Sequence, residues 1–416
     1  MQNDKSKHTK YLSFDELEAP VCLENSERLV AFIKEIIPKW RFAQATMAPS
    51  QMPCMTISAE AGQKYSCSIP DAAPKKWDAL NAVCEMVAEL AWEQIRSNPS
   101  WLCLHCAAVE LNGRLVLFPN GKKAGKSTLT AVLASHGHRV FTDDFLPVEV
   151  DQNGFIRGRA NGVLPRIRLP LPDDFSDTFK RWVADNPGPQ NRKYKYLTID
   201  ALADRGETLP IGAIVVLDRV ERSDCIINPI KRETALNEMI SQNFARILHS
   251  GKILRASNGV AETAELYRLT FSSAEDAADL LEQKFQCWTQ PVRPMANPQN
   301  LPLGCVDFAQ LAEDQPAFQD TANYQHATEL TVVTTDDVAY LTDASGLGVH
   351  RLNSGSAMIW HLLQDPTSLK DAVEIIKAAF PAIPMEEIEA DTRKTMAQFV
   401  QNRLITAADE PMPVVP

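Results

Sequence analysis

The chain has 416 residues, of which 45% are hydrophobic and 23% charged, a globular balance that excludes a wholly disordered chain, a collagen and a disulfide miniprotein. Its 42 basic and 53 acidic residues give a formal net charge of −11, so the totals carry no nucleic-acid footprint. No run approaches the roughly eighteen apolar residues of a membrane span, and the first residues lack a signal-peptide core. Nine cysteines without regular spacing point to reduced thiols and a cytoplasmic protein.

Apolar spacing predicts a helix over 26–40, then two short strands around an Ala-Gly-Gln turn at 54–69. A long amphipathic helix is expected over 74–95, with Trp77, Leu80, Val83, Val87 and Leu90 on one face. Two strands over 101–118 flank Asn112-Gly113, a strong hairpin signal. A loop of small residues and lysines follows at 120–125, then a helix over 126–136 with Gly137 as its C-cap, then a strand over 139–141 that ends at Asp143-Asp144. Residues 165–210 read as a long excursion of surface loops with a short helix near 175–184. A buried strand over 211–218, a helix over 232–249 and a strand over 263–271 come next. A further helix opens after Ser272 with a Ser272–Glu275 capping box. Prolines and weak periodicity mark a linker over 287–328. Short alternating strands and three helices, the first preceded by Asn353, fill a compact unit over 329–410. The expected organisation is an α+β region at 1–98 packed on a core domain at 99–286, then the linker and the C-terminal domain.

The informative segment is Asn120-Gly121-Lys122-Lys123-Ala124-Gly125-Lys126-Ser127. It follows an apolar strand and opens a helix, as a phosphate loop does, with Asn120 in place of the first glycine. Asn is the non-glycine residue best suited to a left-handed conformation there. Backbone N–H groups of such a loop meet phosphate oxygens. Lys126 would reach the terminal phosphates, and Ser127, or less well Thr128, would offer a hydroxyl to Mg²⁺. Asp143 and Asp144 lie just past the next strand, where one carboxylate can serve a metal and the other a hydroxyl nucleophile. Two like charges so close also push one pKa upward. His105 and Glu110 have opposite parity on an extended strand and should not share a face. Cys103, His105 and Cys106 have metal-like spacing without a second pair. Among the basic residues, Arg157, Arg159, Arg166, Arg168 and the run Arg192, Lys193 and Lys195 are candidate phosphate contacts. His136 and His138 flank Gly137 at a helix end and read as structural.

The segment from His105 to Gly113, the loop through Ser127 and the segment His138 to Asp144 together resemble the HPr serine kinase/phosphorylase family, and more closely its kinase-related bacterial offshoots. The resemblance implies a phosphoenolpyruvate-carboxykinase-like phosphate-loop α/β fold with a strongly curved mixed sheet. It implies phosphoryl transfer from ATP to a serine of a small protein, with Mg²⁺ as cofactor. It makes Asn120 through Thr128 the nucleotide loop, Lys126 and His105 active-site residues, and Asp143 the base that takes the serine proton. Asp144 would assist or hold the metal with Ser127, and Glu110 occupies the family's following acidic position as a further metal ligand. Asn120 and Lys123 stand where the family carries glycines. The signature of the reverse, dephosphorylating reaction is missing, which favours kinase-only activity. Such relatives leave room for a homo-oligomer.

The run from Asp343 through Leu352-Asn353-Ser354 to Trp360, followed by two helices and Asn402-Arg403-Leu404-Ile405, resembles the PqqD-like family. That resemblance implies a small winged-helix-like module that binds leader segments of ribosomally made peptides by strand addition beside a helix groove. Together the two resemblances imply a peptide or small-protein serine kinase. The alternatives are a small-molecule kinase, a hydrolase on the same fold and a non-catalytic, nucleotide-switched peptide scaffold.

Overall fold

The computed structural model describes residues 8–46, 52–121, 123–244, 249–296, 317–336, 338–343 and 345–408. Lys122, residues 297–316 of the 287–328 linker and the proline-bearing tail lie outside these, whereas Asn323–His326, expected as linker, forms a strand. The chain divides into two compact units, Met1–Ala245 with Gly259–Pro298, and Arg246–Asn258 with Gln299–Pro416. Among the described residues no helix is long and apolar enough to cross a membrane, and the described cysteines are free thiols.

The larger unit holds two sheets. A six-stranded sheet runs in the order Phe42–Ala45, Thr9–Phe14, Val21–Glu24, Met55–Ala59, Tyr65–Ser68, Lys75–Trp77. The helix expected over 26–40 is shorter, Leu29–Ile36. The helix expected over 74–95 begins only at Ala79, because Asp78 caps it by accepting the Asn81 N–H. Residues 75–77 instead pair as a strand with Tyr65–Ser68. Leu80, Val83, Met86 and Leu90 of the Ala79–Ser97 helix are buried. Each fully buried side chain of this kind contributes roughly 1.5–3 kcal/mol.

The second sheet has nine strands and is mixed. Its centre is a run of three mutually parallel strands, Arg114–Phe118, Thr208–Arg219 and Glu265–Phe271. Asn112 and Gly113 both have positive φ, 50° and 78°. This two-residue turn returns Ala107–Leu111 antiparallel to Arg114–Phe118. Val140–Thr142 pairs antiparallel with Ala107–Leu111 and so runs in the direction of Arg114–Phe118. The loop after Phe118, the Asp143-Asp144 turn and Arg219 therefore gather at one edge, the carboxyl ends of parallel strands, where open α/β sheets place ligands. The helix Lys126–Ser135 buries Leu129, Ala131, Val132 and Leu133 completely, which fixes the loop that precedes it.

Four further expectations change. The strand over 101–118 is broken after Leu104, where the Cys106 N–H donates to the Leu104 carbonyl two residues back, 3.0 Å. The helix expected over 232–249 stops at Ser241, and a second helix, Ser250–Thr263, was not foreseen. Ser273 rather than Ser272 caps the helix Ala274–Lys284, by accepting the Asp276 N–H. The 165–210 excursion is not merely surface. It pairs Arg166–Arg168 with Tyr194–Tyr196, carries the helix Asp177–Asp185 and buries Ile167, Tyr196 and Leu197.

The smaller unit contains the three-stranded sheet Thr331–Thr335, Val338–Thr342, His350–Arg351 and a second one of Thr367–Ser368, Asn323–His326, Ile405–Ala407. Helices Ser354–Leu362, Leu369–Ala379 and Met385–Gln401 enclose a core of Leu341, Ile359, Leu363, Met396 and Leu404. Asn353 caps the first helix by accepting the Ser356 N–H, 2.8 Å.

Candidate functional site

A cavity of about 450 Å³ opens at the carboxyl edge of the nine-stranded sheet. The loop lines it through Gly121, Lys123, Ala124, Gly125, Lys126, Ser127 and Thr128. His105, Asp143, Asp144, Arg166, Arg168, Tyr194 and Arg219 close the remainder. Lys123 and Gly125 are both left-handed, with φ 71° and 96°. Two such turns in five residues bend the chain into the concave shape in which backbone N–H groups converge on an anion. Gly125 stands at the N-cap of Lys126–Ser135, which begins without a side-chain cap, so the first-turn N–H groups are available to a phosphate.

Asn120 does not take the left-handed conformation expected of it. Its carboxamide lies flat against the neighbouring strand instead, accepting the Leu217 N–H at 2.7 Å and donating to the Leu217 carbonyl at 2.9 Å. Lys123 is the residue that occupies the strained position. Lys126 is buried and donates its ammonium to the Asn120 carbonyl and, at 3.2 Å, to that of Gly121. Burial lowers its pKa, opposed by neighbours including Asp144 and Asp143.

The two aspartates differ sharply. Asp143 is buried, accepts the Arg166 backbone N–H at 3.0 Å and is hydrogen-bonded to the Ser127 hydroxyl. Burial first, with Asp144 adding, pushes its carboxyl up to about 6 against the pull of Arg166. The expected rise thus occurs, but desolvation outweighs like-charge repulsion as its cause. Asp144 meets His105 Nε2 at 3.2 Å and the Arg166 guanidinium at 3.3 Å. Burial alone would raise its pKa, and His105, Arg166 and Lys126 together hold it below the usual carboxylate value. Environments that push two adjacent carboxyls apart suit one to proton transfer and the other to a permanent negative charge. Thr142 fixes the turn, its hydroxyl accepting the Asp144 and Phe145 N–H groups at 3.0 and 3.1 Å.

Of the residues expected at the site, the fold brings together the loop from Gly121 through Thr128 apart from the undescribed Lys122, with His105, Asp143 and Asp144. Glu110 is not among them. Ala107 pairs with Phe118 at the loop end of the hairpin, whereas Glu110 lies three residues nearer the turn, about 10 Å away at the rise of a strand. Its carboxylate pairs with Arg139 at 3.0 Å, so a role as metal ligand beside Ser127 does not follow. Arg166 and Arg168 share one face of their strand and line the cavity with Tyr194. Arg157 turns to Asp151 at 3.7 Å and Arg159 to Glu149 at 3.6 Å, while Lys195 donates to the Val183 carbonyl. Cys103 and Cys106 are fully buried, and burial pushes the Cys106 thiol up to about 12, which disfavours a thiolate metal site. Sequence reasoning missed Arg219, Tyr194 and Gln242. Gln242 follows the helix Arg232–Ser241 and holds His105 twice, through its carbonyl at 2.7 Å and its Oε1 at 3.2 Å from Nδ1.

Five cations (Lys123, Lys126, Arg166, Arg168, Arg219) thus face two carboxylates inside a chain of net charge −11. Such a cavity suits a polyanion with a divalent ion between it and the aspartates. The Ser127 hydroxyl and the two carboxylates form an all-oxygen donor set, of the kind Mg²⁺ prefers.

A second concavity, of about 550 Å³, lies in the smaller unit beside the strand Thr331–Thr335 and the helix Ser354–Leu362. The His326 ring stacks on Trp360 at a centroid distance of 3.6 Å and bonds the Trp360 carbonyl at 2.9 Å. Val332, 48% exposed, stands on an edge strand whose one described ladder is with Val338–Thr342.

No curated protein matches the chain significantly. Among solved structures it is similar to the HPr(Ser) kinase/phosphatase from Coxiella burnetii, at 14% identity and a TM-score of 0.22, over 44% of this chain and 99% of that one. Residues 340–405 match the family model described as coenzyme PQQ synthesis protein D, PqqD. The chain therefore carries a PqqD-type domain in its smaller unit.

Proposed function

We propose that this protein is an ATP- and Mg²⁺-dependent kinase that transfers the γ-phosphoryl group to a serine hydroxyl of a ribosomally made peptide or small protein, which its PqqD-type domain recruits. The observation that carries the reading is the convergence of a left-handed loop, a buried lysine, a serine hydroxyl and two unlike aspartates on one cationic cavity. The loop N–H groups and Lys126 would bind the phosphate chain, Lys126 exchanging its carbonyl partners for phosphate oxygens. Arg166, Arg168 and Arg219 supply fixed positive charge where negative charge develops. Mg²⁺, held by Ser127 and Asp144, would neutralise the phosphates. Asp143 accepts the hydroxyl proton as the serine oxygen bonds to phosphorus and the bond to the leaving β-phosphate oxygen breaks. His105, held by Gln242, orients Asp144. The groove beside Trp360 and the open edge at Val332 would hold a peptide as an added strand, which raises the effective concentration of the acceptor.

The test is to incubate the full chain with ATP, Mg²⁺ and precursor peptides encoded by neighbouring genes, and to read phosphoserine by mass spectrometry. Stoichiometric phosphorylation that Asp143→Asn abolishes is the expected result. Normal turnover by Asp143→Asn, or no ATP consumption with any peptide, sinks it. A second reading, a nucleotide-switched scaffold, draws on the capture of Lys126 by its own loop carbonyls. Nucleotide-dependent peptide affinity without ATP consumption would favour that scaffold.

A further inference from the structure

The helix that opens at the phosphate loop closes on a second cluster of metal-competent side chains. His136 is its C-cap and Gly137 follows with φ 91°. The Gly137 N–H donates to the Ala134 carbonyl at 3.0 Å and the His138 N–H to that of Leu133 at 3.1 Å, the two bonds of a Schellman turn. This turn brings His136 and His138 back toward one carboxylate. His136 Nδ1 lies 2.7 Å and His138 Nε2 2.9 Å from the same oxygen, Oε1 of Glu282. Asp279, one turn earlier on the helix Ala274–Lys284, lies 3.9 Å from His136 Nδ1. Donor atoms of His136, Asp279 and Glu282 all fall within 4.8 Å of one another.

We propose that His136, His138, Glu282 and Asp279 form a binding site for a divalent transition-metal ion of the zinc class. Two imidazoles with carboxylates form a borderline donor set that selects such ions over Mg²⁺ and Ca²⁺. Around a tetrahedral ion with ligands at about 2.0–2.1 Å, neighbouring donor atoms stand about 3.3–3.4 Å apart. The observed separations of 2.7, 2.9 and 3.9 Å bracket that value. His136, Asp279 and Glu282 form the mutually close set, and His138, held to Glu282, turns inward to complete the site as fourth ligand. The geometry is held from both sides, since the Schellman turn fixes the two histidines and helical spacing puts Asp279 and Glu282 on one face. The carboxyl end of a helix also favours a cation. The histidine side chains are 31% and 28% exposed, which leaves the ion a path from solvent. A simple bridge in which both rings share one carboxylate is the competing explanation.

The experiment is titration of the full chain, stripped with chelator, with ZnCl₂ by calorimetry, and with CoCl₂ by visible absorption. One ion bound per chain, a tetrahedral Co²⁺ spectrum and no competition by millimolar Mg²⁺ are expected. The double variant His136→Ala/His138→Ala should weaken Zn²⁺ binding at least tenfold and lose the Co²⁺ spectrum. His136→Gln, which keeps a hydrogen-bonding group toward Glu282, should also weaken binding, and it serves if the double variant fails to fold. Zn²⁺ should raise the melting temperature of the wild-type chain and not that of the variants. Absence of binding to the wild-type chain, or unchanged affinity and spectrum in the variants, overturns the site.

Discussion

The cavity at residues 121–128 is lined by charge, five cations against two carboxylates, whereas among the described residues the groove beside Trp360 contains one carboxylate, Glu329, and no lysine or arginine. The first is built from a few polar residues at set spacings, each with one geometric duty. The second is built from shape: a stacked His326–Trp360 pair, small residues such as Ala339 and Ala357, and the strand Thr331–Thr335, which has one ladder among the described residues. A charge-built site fails when one member is lost, because the remaining charges are then buried without a partner. A shape-built groove weakens by degrees.

The largest effects should fall in the charged cavity. Lys126→Met should lower ATP turnover by about a hundred- to a thousandfold and weaken ATP binding, measured by phosphate release and calorimetry. Asp143→Asn should lower transfer by about a hundred- to ten-thousandfold while ATP affinity stays within a few-fold. Equal loss of binding in both would erase the distinction between the two roles. The groove should respond less. Trp360→Ala should weaken peptide affinity by about thirtyfold, the size of a contact hot spot, and leave ATP affinity unchanged in the same titration. Gly125→Ala tests the loop's shape, since an added Cβ at φ 96° would lie 3.3 Å from the Phe271 ring. It should cost roughly 1–2 kcal/mol and lower the melting temperature by a few degrees. The smallest effect belongs to Lys123→Gly, which relieves the left-handed lysine and should stabilise the chain by up to about 1 kcal/mol, read as a rise in denaturation midpoint.

Those sites also differ in how far they could be read from the chain. The loop, its helix and Asp143-Asp144 were legible because each depends on neighbours in sequence: an apolar strand before, a helical pattern after, carboxylates at a strand end. Gln242 was not, since it meets His105 across 137 positions. Arg219 and Tyr194 were missed for the same reason, as their place in the cavity follows from strand order alone. Glu110 shows the opposite error. Its motif position suggested the metal site, whereas its carboxylate pairs with Arg139; the break after Leu104 leaves His105 off the strand on which the parity of the two residues was reckoned. The helix Ser250–Thr263 was passed over between the helix expected over 232–249 and the strand expected over 263–271, although its buried Ile253, Leu254, Val260 and Ala261 recur at helical spacing. In the smaller unit the strand and helix pattern was readable from alternation and the Asn353 cap, and the segment that matches PqqD falls within it.

Asn120 carries a lesson for anyone re-engineering this loop. Its two bonds to Leu217 copy a rung of sheet with a side chain, so the mouth of the loop is stapled to the strand that ends at Arg219. Substituting glycine there would move the chain toward the consensus and remove the staple. A profile that rewards the glycine would be ranking a looser protein above this one.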